Sequence, residues 1–130
     1  MTVVVDASIV VAALVDAGPD GGWAESVIAG QDLVAPHLLP VEVASILRRL
    51  ILAGEQSPDT VTHAHADLLD LPLRLQPYEP YGERIWELRD NVTAYDAWYV
   101  AVAELLDVPL VTLDHRLARA SGLRCRFLTP

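Results

Sequence analysis

The chain contains no lysine, one cysteine and no basic residue among its first 47 positions; its nine basic residues are all arginines, from Arg48 onward. Each absence narrows the field. Phosphotransfer domains of the receiver or haloacid-dehalogenase type place an acid after their first strand but need an active-site lysine, which this chain cannot supply. The second type also requires an acid where Ala7 or Ser8 stands. A lone cysteine closes no internal disulfide, and Cys125, in an apolar C-terminal stretch, reads as packing. No apolar run approaches the roughly 18 to 20 residues of a bilayer span, and the N-terminus lacks a positively charged leader, so the expectation is a cytoplasmic protein with no membrane partner. Neither linker, low-complexity tract nor internal repeat interrupts the chain, which predicts one domain over residues 1–130.

What the chain has instead is apolar residues and acids. Its apolar fraction of 52% and mean hydropathy of +0.31 are high for so short a soluble chain, which predicts that a partner or a second copy covers part of its surface. The formal charge of −9 opposes polyanion binding, unless divalent metal neutralises some carboxylates and the arginines gather on one face.

Val3-Val4-Val5 is a β-branched run without polar alternation, the pattern of a strand buried on both faces in a parallel sheet. Asp6 ends it, and Ala7 to Leu14 reads as a helix. Residues 17–22 form a Gly/Pro/Asp cluster that reads as a turn before a short helix from Trp23 to Ala29. Leu33-Val34-Ala35 is the second strand. Pro40 opens a long helix with Val43, Ile46, Leu47, Leu50 and Ile51 on one stripe and Gly54 at its end. Ser57-Pro58 starts another, with Val61, Ala64, Leu68 and Leu69 inward. A weaker strand at residues 73–75 and a helix over Tyr81–Arg89 follow. The helix from Thr93 through Leu106 is apolar on nearly every side and is expected to be the most buried, with Pro109 as its breaker. Residues 110–113 form a fourth strand ending on Asp114, a helix covers His115 to Ser121, and Cys125 to Leu128 is a candidate edge strand. Strands alternating with helices make this an α/β three-layer domain around a parallel sheet.

Asp6, Glu42, Asp96 and Asp114 all fall at helix starts. Taken singly, each is explained equally well as a cap or by the helix dipole, and Thr93-x-x-Asp96 is itself a capping-box pattern. Taken together they read differently. Strand ends of one polarity share one edge of a parallel sheet, so Asp6 and Asp114 can meet across a switch point. Asp96 lies among Tyr95, Ala97, Trp98, Tyr99 and Val100, with no basic residue within a turn. A carboxylate there needs a proton, hydrogen bonds or a cation. A hard ion such as Mg²⁺ or Mn²⁺ suits clustered oxygen ligands, and such a site suits phosphodiester hydrolysis. Ser8 and Thr112 stand beside the acids, where they could orient ligands or only make local turn bonds.

These segments, Val3-Val4-Val5-Asp6-Ala7-Ser8, Pro40-Val41-Glu42-Val43, Tyr95 to Ala101 and Leu110 to Asp114, together resemble a PIN-domain ribonuclease, and more narrowly the VapC toxin of a bacterial VapBC pair. The resemblance covers essentially the whole chain. It implies a central, mostly parallel five-stranded sheet between helices, and an acidic pocket binding Mg²⁺ or Mn²⁺. It also implies endonucleolytic RNA cleavage leaving a 3′-hydroxyl and a 5′-phosphate. Asp6, Glu42, Asp96 and Asp114 match the family's four acids, with Asp6, Asp96 and Asp114 as metal ligands, and Ser8 and Thr112 match the adjacent polar positions. Homodimers are common in the family, as is inhibition by a VapB antitoxin whose C-terminal arm enters the acidic groove. Some members carry a further acid where this chain has His115-Arg116-Leu117-Ala118-Arg119, which leaves a second metal site in doubt.

Arg116 and Arg119, one turn apart, are candidate RNA-phosphate contacts or solvated surface charges. His37, His63, His65 and His115 have no spacing that converges on the acids, and Trp98 and Tyr99 read as core or dimer contacts. A PIN-like module that binds RNA or protein without cutting, or a PIN nuclease of RNA maturation, are the alternatives.

Overall fold

The computed structural model describes all residues, 1–130. Five strands form one all-parallel sheet: β1 (Thr2–Val5), β2 (Asp32–Pro36), β3 (Leu73–Gln76), β4 (Leu110–Val111) and β5 (Phe127–Leu128), in the order β3-β2-β1-β4-β5. The valine run is the centre of this sheet, with Val3, Val4 and Val5 essentially without solvent exposure. Burial on both faces is what an unbroken β-branched strand requires. The chain builds outward from β1 through β2 to β3, then returns to place β4 on the other side of β1. The switch point therefore lies between β1 and β4, where Asp6 and Asp114 follow their strands.

Seven helices cover the sheet: α1 (Ala7–Val15), α2 (Pro19–Ile28), α3 (Leu39–Leu52), α4 (Pro58–Asp70), α5 (Gly82–Glu87), α6 (Ala94–Leu106) and α7 (His115–Ala118). α1 to α4 pack on one another, whereas α5 packs on α6, which lies along β1, β2 and β4. This is the expected α/β/α layering, around a continuous core of 29 buried apolar residues. A side-chain ion pair with little exposure, Arg84 Nε to Glu104 at 2.9 Å, ties α5 to α6.

Several local expectations are corrected. The cluster at residues 17–22 is not a turn up to Trp23, since α2 begins at Pro19, a favoured first-turn residue. Gly21 serves close packing here: a Cβ on it would stand 1.8 Å from the Asp16 carbonyl oxygen. Leu69 faces solvent at 70% exposure, because Val61, Ala64 and Leu68 already fill the inward stripe of α4. Leu105 and Leu106 are also exposed, so the last turn of α6 escapes the burial of its middle. Asp107, not Pro109, ends α6, in the left-handed conformation at φ 54° with its N–H donated to the Ala103 and Glu104 carbonyls. β4 stops at Val111 because the Leu113 N–H turns to Ser8 Oγ, 3.1 Å away, instead of a neighbouring strand. The helix expected over Tyr81–Arg89 is a 3₁₀ turn, Glu79–Tyr81, followed by the shorter α5, and α7 ends at Ala118. Gly54, at φ 71°, closes α3 as expected.

Candidate active site

Asp6 leaves β1 and caps α1, accepting the Ile9 N–H at 3.2 Å. Its cap role and its place at the site coincide, because the strand-to-helix turn that orients the carboxylate is the turn that aims it over the sheet edge. Two hydroxyls complete its surroundings. Ser8 Oγ donates to Oδ1 at 2.5 Å, and Thr112 Oγ1 donates to Oδ2. Burial pushes the Asp6 carboxyl above its usual range, and these hydrogen bonds only partly oppose that.

The same hydroxyls hold the opposite turn. Thr112, fully buried, accepts the Asp114 N–H at 2.9 Å while it donates to Asp6. Ser8, while donating to Asp6, accepts the Leu113 N–H. Two side chains thus join the turns after β1 and β4, the paired groups of Thr112 and Asp6 standing 106 positions apart in the sequence. Asp114 caps α7, its Oδ1 accepting the Arg116 and Leu117 N–H groups at 3.0 and 3.1 Å.

Glu42, in the first turn of α3, and Asp96, in the first turn of α6, come to this edge from the helices. Thr93 Oγ1 accepts the Asp96 N–H at 3.2 Å, so that capping pattern is also real. Asp96 is partly buried, and its carboxyl is raised first by that burial and then by Asp114, Glu42 and Asp6 in turn. The charges of the other three acids therefore all reach Asp96. Tyr99, which the sequence reading assigned to packing, lies among them: its ring is in the core and its hydroxyl donates to Glu42 Oε1 at 2.7 Å. Burial, Glu42, Asp6 and Asp96 all push its phenol above the ordinary value. Its position three residues after Asp96, on the same helix face, is the signal that links it to the site.

As the side chains stand, no group of three or more His, Cys, Asp or Glu is placed to hold a metal ion. The chemistry of the donor set fits a hard divalent ion nonetheless. It consists of carboxylate oxygens, those of Asp114, Glu42 and Asp6 raising the Asp96 carboxyl, and none of the molecule's three ion pairs involves them. Asp96, Asp114 and Arg116 line an open cleft of about 380 Å³ together with Thr93. Arg119 is exposed on the same helix end but is not part of its wall.

Residues 3–123 match the family described as the PIN domain. The chain belongs to the PIN-domain family. Within it, this PIN-domain chain is 44% identical over 128 residues to Ribonuclease VapC1 of Mycobacterium tuberculosis, covering 95% of this chain and 94% of that relative. Among solved structures, Mycobacterium tuberculosis VapC20, a sarcin-ricin loop cleaving toxin, superposes with a TM-score of 0.70 at 18% identity, over 94% of this chain and 96% of its own. VapBC2 of Rickettsia felis, bound to a DNA fragment from its promoter, superposes with a TM-score of 0.65 at 14% identity, over 99% and 98%. These structures share the fold of this PIN domain, an all-parallel five-stranded sheet among helices. No helix of the PIN domain is long and apolar enough to cross a membrane.

Proposed function

We propose that this PIN-domain chain is a divalent-metal-dependent endoribonuclease, the toxin of a VapBC-type pair working in the cytoplasm as a homodimer. The observation that carries the reading is the gathering of Asp6, Glu42 and Asp114 close enough to Asp96 to raise its carboxyl, with no cation paired to any of the four. Asp6, Asp96 and Asp114 would hold Mg²⁺ or Mn²⁺, which when bound supplies polarisation of a phosphate oxygen and a water of lowered pKa. Ser8 and Thr112 fix Asp6 and keep its turn against that of Asp114. Glu42 Oε1 is taken by Tyr99, while Oε2 has no hydrogen bond and is free to accept the proton of the attacking water. Water adds to phosphorus as Glu42 takes its proton, and the bond to the 3′ oxygen breaks. That oxygen takes a proton from solvent to leave as the 3′ hydroxyl, and Glu42 returns its proton to solvent.

The likeness to VapC1 supports the toxin role, and neighbours that are VapBC pairs support a VapB-type antitoxin as partner. An apolar groove of about 580 Å³ along α1 and α3, lined by Val11, Val15, Ile46 and Leu50, starts at Ser8 and Leu113 beside the acids. It suits an inhibitor segment that continues into the acidic pocket. Exposed Val41 and Tyr95, at 63% and 60%, supply apolar surface for a second copy.

The test is cleavage of RNA by the purified protein with Mg²⁺ or Mn²⁺. Chelation should stop it, and Asp96→Asn should stay folded while losing about 100-fold or more, since even outer partners of metal ligands act on a scale of 10- to 100-fold. An Asp96→Asn protein as active as the parent would refute the assignment, and cleavage that persists with chelator would refute metal dependence. Co-purification with a small antitoxin that abolishes cleavage would separate the toxin role from one in RNA maturation.

A further inference from the structure

We infer that Tyr99 is a positioning residue of the acidic pocket, whose hydroxyl holds Glu42 in the orientation that keeps its second oxygen turned to the chemistry. This rests on the ribonuclease reading above and goes beyond the four acids.

The supports of the acids are unequal. Asp6 is held by Ser8, Thr112 and the Ile9 N–H, and Asp114 by two backbone N–H groups. Glu42 has one hydrogen bond, from Tyr99, at 2.7 Å. It sits on a half-exposed helical turn where its side chain would otherwise sample several rotamers. The bond spans 57 residues and is the only side-chain hydrogen bond between α3 and α6, so it also fixes Glu42 relative to Asp96. The tyrosine itself is closely packed: it is 2% exposed, with its ring inside the core. A phenol is protonated at neutral pH and an ionised carboxylate has only acceptors, so the direction of donation is set. A rigid donor aimed at a mobile acid is how outer partners orient groups around a metal.

A purely structural tyrosine makes a different prediction, since phenylalanine would then serve as well. In Tyr99→Phe the fold should be kept, as judged by circular dichroism and thermal unfolding. At saturating metal kcat should fall about 10-fold with KM for RNA within about 2-fold, the pattern of an interaction that matters after substrate binds. The affinity of the RNA-free protein for Mn²⁺, measured by calorimetry, should fall in the same direction, because the Glu42 charge lies close enough to act on Asp96, one of the residues that would hold the ion. In a Glu42→Ala background, Tyr99→Phe should change neither quantity further, because the coupling runs through that carboxylate. Glu42→Asp, which keeps the charge but draws it out of reach of the phenol, should show the same losses and serves if Tyr99→Phe does not fold.

Parental kcat and Mn²⁺ affinity in Tyr99→Phe or Glu42→Asp would overturn the proposal, as would an equal loss on adding Tyr99→Phe to Glu42→Ala. The two readings fail separately. A parent that binds Mn²⁺ but cuts no RNA sinks the nuclease reading while the Mn²⁺ affinities still decide Tyr99, and a parent that binds no Mn²⁺ sinks both.

Discussion

Thr112 is a hydroxyl with no solvent exposure that donates to one acid and accepts the backbone N–H of another. Thr112→Val keeps the shape and removes both bonds, leaving a buried Asp6 oxygen short of a donor and the part-buried Asp114 N–H without its acceptor. Unfolding in urea should show a loss of about 1–3 kcal/mol, and cleavage should fall about 10- to 100-fold. At this scale the sequence was legible where chemistry is explicit. Asp96 announced itself because no base lies within a turn of it, and Asp6 and Asp114 because each ends an apolar strand. Tyr99 did not, because a tyrosine on a helix apolar on nearly every side reads as packing, and although it shares the face of Asp96 the acceptor of its hydroxyl lies 57 positions away on α3. The sequence also left Ser8 and Thr112 between two readings, and the geometry shows that a local turn bond and a bond across the sheet edge are made by the same oxygen.

Among the elements, α6 deserves a test at its end. Asp107 holds a left-handed conformation at φ 54° that a side chain makes unfavourable and glycine does not. Asp107→Gly should therefore stabilise the protein by roughly 0.5–1 kcal/mol, seen as a rise of a few degrees in Tm with cleavage unchanged. Periodicity and the valine run were enough to read the strand order's main consequence, a switch point with an acid on either side. Boundaries were lost where tertiary contacts overrule local signals. Glycines normally punctuate, yet Gly21 lies inside α2 because the approach of α1 leaves no room for a Cβ. Residues 112 and 113 read as strand, yet a serine from the other turn takes the N–H that would have continued the ladder.

For the whole molecule, the acidic edge sets how stability follows pH. Burial raises Asp6, and burial with three neighbouring acids raises Asp96, above the unfolded value. Between the unfolded and folded pKa values the native state binds more protons than the unfolded chain, so stability falls as pH rises through that window and stays lower at neutral pH. Asp32, lowered by the hydrogen bonds of Arg74, acts with the opposite sign but is an exposed pair of small effect. The metal-free protein should therefore melt higher near pH 5 than at pH 7 in differential scanning calorimetry. Mn²⁺ at neutral pH should restore the difference, by about 2.7 kcal/mol at a hundred times its Kd. Asp96→Asn should melt above the parent at pH 7 without metal. The arginines act at the same scale. Arg116→Ala with Arg119→Ala should weaken RNA binding and flatten its salt dependence by roughly 1 to 2 in log–log slope. Unchanged affinity and slope would leave both as solvated surface charges.

The convergence of the four carboxylates also governs what random mutation and screening would yield. A variant library sorted only for survival on heating, in buffer stripped of divalent ions, should enrich neutral replacements at Asp96 and return sturdy proteins that no longer cut. Sorting in the presence of Mn²⁺ should reverse that drift, because the ion rewards the same repulsion that heat alone would select away.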